Sequence, residues 1–362
     1  MTQLPRLVAL ATAVPSHLLR QSDVRAKVAE MFASTLSADP RLLQVFEHAQ
    51  IDTRHACMPL EWYSADHDFG ESNALYIEHA VSLGVMSARK ALVQARLEPT
   101  DIDHIVFVSS TGIATPSVDA LLANALGLRD DVRRTPIWGL GCAGGAAGLA
   151  HARDFAIADP SARVLFVALE LCSLTFQLRD LSKRNLVAAS LFGDGAAAAV
   201  IVGGKSGVGA AAGRRPLALV ASRSTLWKDT QDVMGWTVDG AGLHVVFSRD
   251  IPTIVHERVR PSLLAFLEAS GLAMADVHHM AAHPGGVKVL NAYAAALNLA
   301  PSVFRHARDV LREYGNMSSP SCLFVLERFL EAGEIGAGQN AVVAALGPGF
   351  SAEYVLLRGE AS

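Results

Sequence analysis

The chain is organised around the stretch Trp138-Gly139-Leu140-Gly141-Cys142-Ala143-Gly144-Gly145-Ala146-Ala147-Gly148. A short apolar run precedes this stretch, and the alanine-rich residues 143–157 are typical of a helix. Glycines let the backbone turn sharply and let a substrate approach closely, and a helix N-terminus offers free N–H groups and positive partial charge. We therefore expect the thiol of Cys142 to be shifted toward the reactive thiolate. A buried structural cysteine is the alternative interpretation.

Composition limits the class of protein. The 362 residues, 51% of them hydrophobic, suggest one large or two medium domains with a sizeable core. The net charge of −4 does not point to a nucleic acid or an acidic membrane surface as a partner. We find no signal-peptide pattern and no apolar run long enough for a membrane span, so we expect a cytoplasmic protein. The scattered cysteines lack CxxC spacing, which argues against a metal site or a disulfide framework.

Apolar and amphipathic segments alternate along the chain, which indicates α/β layers. Strands are predicted at residues 7–14, 105–108, 163–169, 196–202 and 354–357. Helices are predicted at 22–33, 42–49, 73–95, 117–126 and 319–330, with a further helix beginning near Pro261. We interpret residues 51–57 as a loop and the glycine-rich residues 203–215 as a linker.

The two ends of the chain repeat one order of elements, which predicts an internal duplication. Three residues recur at a constant offset: Leu97, Asp101 and His104 match Leu272, Asp276 and His279. The triplet at 193–195 precedes one apolar strand as the triplet at 347–349 precedes another. We infer two α/β halves, 1–203 with the cysteine and 216–362, that share one core.

The duplication places Asn316 in the second half where Cys142 stands in the first. His283 follows a predicted strand, and open α/β sheets place their sites at the carboxyl ends of strands. A thiolate can attack a thioester carbonyl, and His283 as imidazolium would stabilise that thiolate. His283 and Asn316 can also donate hydrogen bonds to an enolate oxygen. These residue types predict a decarboxylative condensation of a malonyl thioester that needs no metal. Alternatively, His283 is structural and Asn316 is a turn or cap residue.

Five motifs together give the chain a family resemblance. They are residues 141–145 (GCAGG), 189–196 (ASLFGDGA), 283–286 (HPGG), 314–321 (YGNMSSPS) and 347–350 (GPGF). On these motifs the chain resembles the type III polyketide synthases, the chalcone synthase-like branch of the thiolase superfamily. The resemblance implies a thiolase-like, five-layered αβαβα fold and a homodimer. It also implies an acyltransferase that condenses malonyl-CoA with an acyl-CoA starter and needs no cofactor besides these CoA thioesters.

The resemblance also assigns roles to residues. It makes Cys142 the acylated nucleophile, His283 and Asn316 the decarboxylation pair, and Phe192 the gatekeeper between a CoA tunnel and a cavity. Cavity positions are Ser110, Thr111, Cys172, Thr175, Gly235, Val245 and Ser318. CoA-binding positions are Arg54, Gly286 and Lys288. Cys172 replaces a threonine of the plant pattern and Val245 a phenylalanine, so the resemblance favours a longer aliphatic starter, as in bacterial alkylpyrone and alkylresorcinol synthases.

Two other functions stay open at this point. A ketoacyl synthase III-like enzyme would stop after one condensation and use carrier-protein substrates, which calls for a basic docking patch that the sequence does not show clearly. A non-catalytic relative would act as a partner protein, but the presence of Cys142, His283 and Asn316 argues against it. The sequence does not specify the starter, the number of extensions or the mode of cyclisation.

Overall fold

A mixed nine-stranded sheet forms the framework of the computed structural model, which describes residues 4–209, 215–248 and 250–361. The strands are β1 (Arg6–Ala13), β2 (His17–Arg20), β3 (Thr53–Ala56), β4 (His104–Val108), β5 (Arg133–Ile137), β6 (Arg163–Leu171), β7 (Asp194–Val202), β8 (Leu217–Leu226), β9 (Met234–Asp239), β10 (Gly242–Phe247), β11 (Val277–Ala282), β12 (Asn340–Gly347) and β13 (Ser351–Gly359). The helices are α1 (Gln21–Met31), α2 (Ala33–Ala38), α3 (Gln44–His48), α4 (Phe69–Ala95), α5 (Val118–Leu126), α6 (Gly144–Ala158), α7 (Lys183–Leu191), α8 (Ile251–Ala269), α9 (Val287–Leu297), α10 (Arg305–Tyr314) and α11 (Ser321–Glu331).

The strand order shows the predicted duplication. The first half runs β5-β4-β6-β7-β1 and the second β11-β12-β13-β8. In the first half β4 pairs in parallel with β6, and the next two pairings are antiparallel; the second half repeats this pattern from β11 to β8. Two residue pairs, Arg6 with Ala218 and Leu7 with Leu217, join the halves into one sheet. In the described part of the second half, no strand corresponds to β5.

Helices pack on both faces of each half and between the halves. Helix α4 covers β1, β6 and β7 on the outer face of the first half, and α8 covers β8 and β13 on the outer face of the second. Helices α6 and α11 each contact strands of both halves, so they form a shared middle layer. This is the expected five-layered αβαβα arrangement.

The central strands are buried along their whole length because helices cover both of their faces. Strands β4, β7 and β12 are buried at every residue, and their sequences are near-continuous apolar runs, as expected for strands without a solvent face. Within the described residues, no helix is both long enough and apolar enough to cross a membrane.

Three local predictions need correction or fall partly outside the structure. The helix expected to begin near Pro261 is α8, which begins at Ile251 and contains that proline; its buried stripe, Val255, Val259 and Leu263, continues through the proline and holds the helix together. The predicted loop at 51–57 contains strand β3, which pairs with β2. Residues 210–214 of the predicted linker lie outside the described residues.

Candidate active site

Cys142 lies where the chain leaves β5 and enters α6. It sits in a short 3-10 turn, residues 141–143, and is 7% exposed. Gly141 has a φ of +47° and donates its N–H to Ser110 Oγ at 3.1 Å. Gly139 donates to the same oxygen at 3.2 Å. One serine hydroxyl at the end of β4 therefore holds the loop that presents the cysteine.

The N-termini of α6 and α11 meet beside this loop, as the duplication predicts. A Cβ at Gly145 would lie 2.1 Å from the carbonyl oxygen of Ser319 and 2.7 Å from Cys322 Sγ. Only glycine permits this approach, because any side chain would push the two helices apart. The contact brings the segment that carries Asn316 next to the segment that carries Cys142.

Asn316 is fixed by both its backbone and its side chain. Its N–H donates to Leu191 O at 2.8 Å, and its carbonyl accepts from Gly193 N at 3.0 Å. Its Oδ1 accepts from Ser318 N at 2.8 Å, and its Nδ2 lies 3.4 Å from Gly285 O. Because Oδ1 is occupied, the amide presents its NH₂ group, which is the donor that an oxyanion requires.

His283 follows β11 and is anchored through its backbone, whose N–H donates to Ala344 O at 2.8 Å. The residue is 4% exposed, and neither ring nitrogen has a hydrogen-bond partner among the described residues. A buried polar group without a partner is unusual. In a cleft it is typical of a group that awaits a ligand.

Cys142, His283 and Asn316 line one large cleft that is open to solvent. Gly286 and Lys288 line it as well. We call this the main cleft. The structure therefore brings together the three residues that the sequence selected for catalysis, with a nucleophile and two hydrogen-bond donors facing the same space.

Burial opposes the charge states that the sequence predicts for Cys142 and His283. Desolvation raises the pKa of the Cys142 thiol to about 11, although Ser318 and Asn316 oppose this by hydrogen bonding. Desolvation also lowers the pKa of His283 to about 3. Both shifts run against the thiolate–imidazolium pair that the sequence predicts, because burial disfavours the charged form of each group.

A fully buried carboxylate, Glu170, lies behind the site. Its Oε2 accepts from Ser110 N at 2.9 Å and from Thr111 Oγ1 at 2.8 Å, and its Oε1 accepts from Ser319 Oγ at 3.0 Å. Burial raises the pKa of Glu170 to about 7. The carboxylate ties the end of β4 in the first half to the start of α11 in the second.

Phe192 borders a second, narrower space that we call the apolar pocket, and the described residues around it also include Cys172, Thr175 and Val245. The Phe192 ring lies 6.1 Å from the Trp236 ring and 5.8 Å from the Phe247 ring, between centroids. Trp236 and Val245 line both the apolar pocket and the main cleft. An aromatic cluster on the β9–β10 hairpin and after α7 therefore separates the two spaces.

Comparisons with known proteins identify the family. Models of the N-terminal and C-terminal domains of chalcone and stilbene synthases match residues 3–206 and 218–361. The chain belongs to the chalcone and stilbene synthase family. It is a type III polyketide synthase and therefore an acyltransferase.

Its similarity to bacterial enzymes extends over almost the whole chain. It is 40% identical to a 1,3,6,8-tetrahydroxynaphthalene synthase of Streptomyces peucetius over 97% of this chain and 92% of the relative. It is 38% identical to a putative chalcone synthase of Bacillus subtilis over 98% of both chains. The crystal structure of the 1,3,6,8-tetrahydroxynaphthalene synthase of Streptomyces coelicolor, a type III polyketide synthase, superposes with a TM-score of 0.92 at 31% identity and covers 99% of this chain and 100% of that one.

The predicted cavity residues of this synthase fall in different places. Cys172 and Thr175 line the apolar pocket, Gly235 lines the main cleft, and Thr111 lines a small third pocket beside them. Ser110 is 1% exposed, and its hydroxyl is occupied by the cysteine loop, so it positions the nucleophile and does not form a cavity wall. Ser318 is buried beside Asn316 and hydrogen-bonds Cys142.

The predicted contact between Arg54 and a CoA phosphate does not fit the structure. Arg54 is 4% exposed, and its guanidinium donates to backbone carbonyls at the end of α7. Its side chain faces the end of α7 and lines the apolar pocket, not the main cleft. Gly286 and Lys288, by contrast, do line the main cleft.

Sequence reasoning missed Glu170 and Trp236. Glu170 had a signal, since it is the one charged residue in the otherwise apolar run 164–171, and a buried charge needs partners. Trp236 had none, because its role depends on how the β9–β10 hairpin folds over Phe192. No group of three or more His, Cys, Asp or Glu side chains within the described ranges could hold a metal ion.

Proposed function

We propose that this type III polyketide synthase loads a medium- or long-chain fatty acyl group from acyl-CoA onto Cys142 and extends it repeatedly with malonyl-CoA. Cyclisation then releases an alkylpyrone, an alkylresorcinol or a phloroglucinol-type product. The observation that carries the proposal is the apolar pocket behind Phe192, which offers a separate space for an alkyl chain next to the cleft that holds the reacting groups.

The lining of the apolar pocket suits an alkyl chain. Leu19, Val24, Val28 and Met31, from β2 and α1, form one side of it. Each methylene group buried there would contribute about 0.8 kcal/mol, so a long chain would bind more tightly than an acetyl or malonyl group.

The proposed loading step starts from the Cys142 thiol and a neutral His283 imidazole. Cys142 Sγ bonds to the thioester carbonyl carbon of acyl-CoA while neutral His283 accepts the thiol proton. The C–S bond to CoA then breaks, and the proton passes to the departing CoA thiolate. The products are the acyl–Cys142 thioester and free CoA, and His283 is neutral again.

The extension step uses His283 and Asn316 as donors. Malonyl-CoA in the main cleft loses CO₂, and the electron pair of the broken C–C bond forms an enolate. The N–H of neutral His283 and the Asn316 amide donate to the enolate oxygen. The enolate carbon attacks the acyl carbonyl, the bond to Cys142 breaks, and the released Cys142 thiolate takes a proton from solvent to restore the thiol. The extended chain leaves as a ketoacyl-CoA that can load Cys142 again.

Cationic side chains of the main cleft suggest where CoA binds. We assign the CoA phosphates to these cations, with Lys288 joined by Arg41, Lys183 and Arg184. The CoA thioesters are substrates, and we propose no cofactor.

We also propose a homodimer, because β5 is an edge strand and the exposed Trp138 follows it. The four cysteines, Cys57, Cys142, Cys172 and Cys322, are free thiols, which suits a reducing cytoplasm.

A single-condensation enzyme of the ketoacyl synthase III kind is the alternative. It would share the nucleophile and donors but would need neither repeated loading nor a long pocket. The product named for the Streptomyces relatives, 1,3,6,8-tetrahydroxynaphthalene, carries no alkyl chain, and a product of that kind would leave the apolar pocket unused. A non-catalytic partner role is disfavoured, because the three reactive side chains share one cleft.

The acyl group that Cys142 accepts tests the proposal. The protein is incubated with an equimolar mixture of malonyl-CoA, coumaroyl-CoA and acyl-CoA thioesters from acetyl to stearoyl, and the adduct is measured by intact-protein mass spectrometry. We expect a medium- or long-chain adduct on the wild type and none on Cys142→Ala. An adduct of malonyl or acetyl alone would contradict the fatty acyl starter.

A further inference from the structure

Arg54 carries a buried positive charge whose place in the fold the reaction above does not explain. It lies on β3 and has no carboxylate within ion-pair distance among the described residues. Burial lowers the pKa of Arg54 to about 10, against the opposing charge of Asp194. The guanidinium is therefore still cationic at neutral pH, and something other than an ion pair must compensate its loss of hydration.

Backbone carbonyls at the end of α7 provide that compensation. Arg54 Nη1 donates to Ala189 O and to Phe192 O, each at 2.8 Å, and Nη2 donates to Ser190 O at 2.8 Å. The last carbonyls of a helix lack partners within the helix, and a cation near a helix C-terminus interacts favourably with its dipole. One side chain thus caps the helix that ends at the gatekeeper.

A second side chain fixes the orientation of the guanidinium. Gln21, at the start of α1, accepts a hydrogen bond from Arg54 Nη2 through its Oε1. Its Nε2 donates to Ser190 O at 3.0 Å and to Phe46 O at 3.3 Å. Arg54 and Gln21 therefore form one buried network around the final turn of α7.

The stem of Arg54 also packs against the two segments that carry Phe192 and Asn316. A Cβ at Gly193 would lie 3.2 Å from Arg54 Cβ and 2.4 Å from Tyr314 O. A Cβ at Gly315 would lie 2.8 Å from Leu191 O and 3.6 Å from Arg54 Cβ. Both glycines permit a close approach, and Arg54 supports the pair of segments from behind.

We infer that Arg54 is a positioning residue that holds Phe192 at the boundary between the main cleft and the apolar pocket and, through the paired backbone, holds Asn316 toward the cleft. It sets starter selectivity and extension rate from the wall of the apolar pocket, which it lines beside Phe192, and not by contact with the reacting groups of the main cleft. The inference rests on the proposed function for its readout. Lysine cannot replace arginine here, because a single ammonium group does not reproduce the planar fork that reaches carbonyls on both sides.

The test compares Arg54→Lys with Arg153→Lys. Arg153 is a matched control, because its Nε and Nη2 also donate to backbone carbonyls, of Leu219 at 3.1 Å and Val220 at 2.9 Å, but it lines neither of the two spaces. We expect Arg54→Lys to lower kcat for extension by about ten- to a hundred-fold, in the range of a small misplacement of reacting groups. The KM for malonyl-CoA should change little. The preference for long over short acyl groups in Cys142 loading should also fall.

Melting temperatures separate positioning from folding. Equal losses of kcat and of selectivity in the two variants would overturn the inference, as would a folded Arg54→Lys with wild-type kcat and selectivity. If Arg54→Lys does not fold, Gln21→Met removes the amide that orients the guanidinium, and it should show the same changes to a smaller extent. A folded Gln21→Met with wild-type selectivity and rate would then overturn the inference.

Failure of the proposed function has a different signature. In that case the wild type extends malonyl units without a fatty acyl starter and shows no preference for long acyl groups. The role of Arg54 is then tested by the ratio of the variant's to the wild type's rate of malonyl-CoA extension, which does not depend on the starter.

Discussion

Asn316 is hydrogen-bonded to the residues on either side of Phe192: its N–H donates to Leu191 O at 2.8 Å, and its carbonyl accepts from Gly193 N at 3.0 Å. The proposed oxyanion donor and the proposed gatekeeper therefore belong to one rigid unit, although they lie in different halves of the duplicated chain. A starter that seats against Phe192 is placed relative to Asn316 at the same time. This coupling explains how one site can both measure the acyl chain and activate malonyl-CoA.

Replacing the nucleophile should stop condensation. We expect Cys142→Ala to form no extended product from any starter, because no thiol remains to carry the acyl group. Mass spectrometry of the products checks this. Cys57→Ala is the control, since Cys57 is buried and lines neither of the two spaces, and it should keep wild-type products. Product formation by Cys142→Ala at the wild-type rate would refute the covalent mechanism.

Replacing the amide donor should separate loading from extension. Asn316→Ala should still accept an acyl group on Cys142 but lose about 10²- to 10³-fold in kcat for extension, as is usual when one oxyanion donor is removed. Intact-protein mass spectrometry measures the loading, and release of labelled CO₂ from malonyl-CoA measures decarboxylation. If Asn316→Ala decarboxylated malonyl-CoA normally, the role assigned to the amide would be wrong.

Filling the boundary between the two spaces should shorten the accepted starter. Val245 lines both the apolar pocket and the main cleft, so the larger ring in Val245→Phe should narrow the way into the pocket. We expect the best acyl-CoA substrate to become shorter, as measured by kcat/KM across starters. Val238→Phe on the same hairpin is the control, because Val238 is exposed and lines neither space. An unchanged chain-length profile in Val245→Phe would remove the reason for assigning the chain to this pocket.

The buried charge states predict how Cys142 reacts with pH. Burial raises the pKa of the Cys142 thiol to about 11. Below that pH, the thiolate fraction increases about tenfold for each unit by which the pH rises. The rate at which iodoacetamide alkylates Cys142, measured on the Cys142 peptide with no substrate added, should therefore increase steadily from pH 6 to pH 9. His283→Gln should show the same slope, because the pKa of His283 is lowered to about 3 and the ring is neutral throughout. A rate that is flat over this range would reveal a resting thiolate instead.

Much of the site could be predicted because its chemistry depends on short motifs. A cysteine between glycines, a histidine after a strand and an asparagine after a glycine are local patterns, and the duplication places them together. The same duplication predicted two α/β halves that share one core, and the structure confirms it in the matching strand orders of the two halves.

The features that the sequence did not reveal depend on how deeply residues are buried and on contacts with distant backbone. The sequence does not show that Cys142 and His283 are almost completely buried, and this burial shifts both of their pKa values against the expected ion pair. The family resemblance assigns Arg54 to CoA binding, but its partners are backbone carbonyls more than a hundred residues away, and no side-chain pattern records them. The helix start predicted near Pro261 is wrong because the packing of α8 outweighs the helix-breaking tendency of proline.

The number of malonyl units joined to a fatty acyl starter distinguishes repeated extension from a single condensation. The wild type is incubated with [¹³C]malonyl-CoA and an unlabelled acyl-CoA of the preferred length, and the mass of each product gives the starter and the count of extensions. We expect cyclised products that contain one intact fatty acyl group and more than one labelled unit. Products built from malonyl units alone, or a single extension that requires a carrier protein, would contradict it.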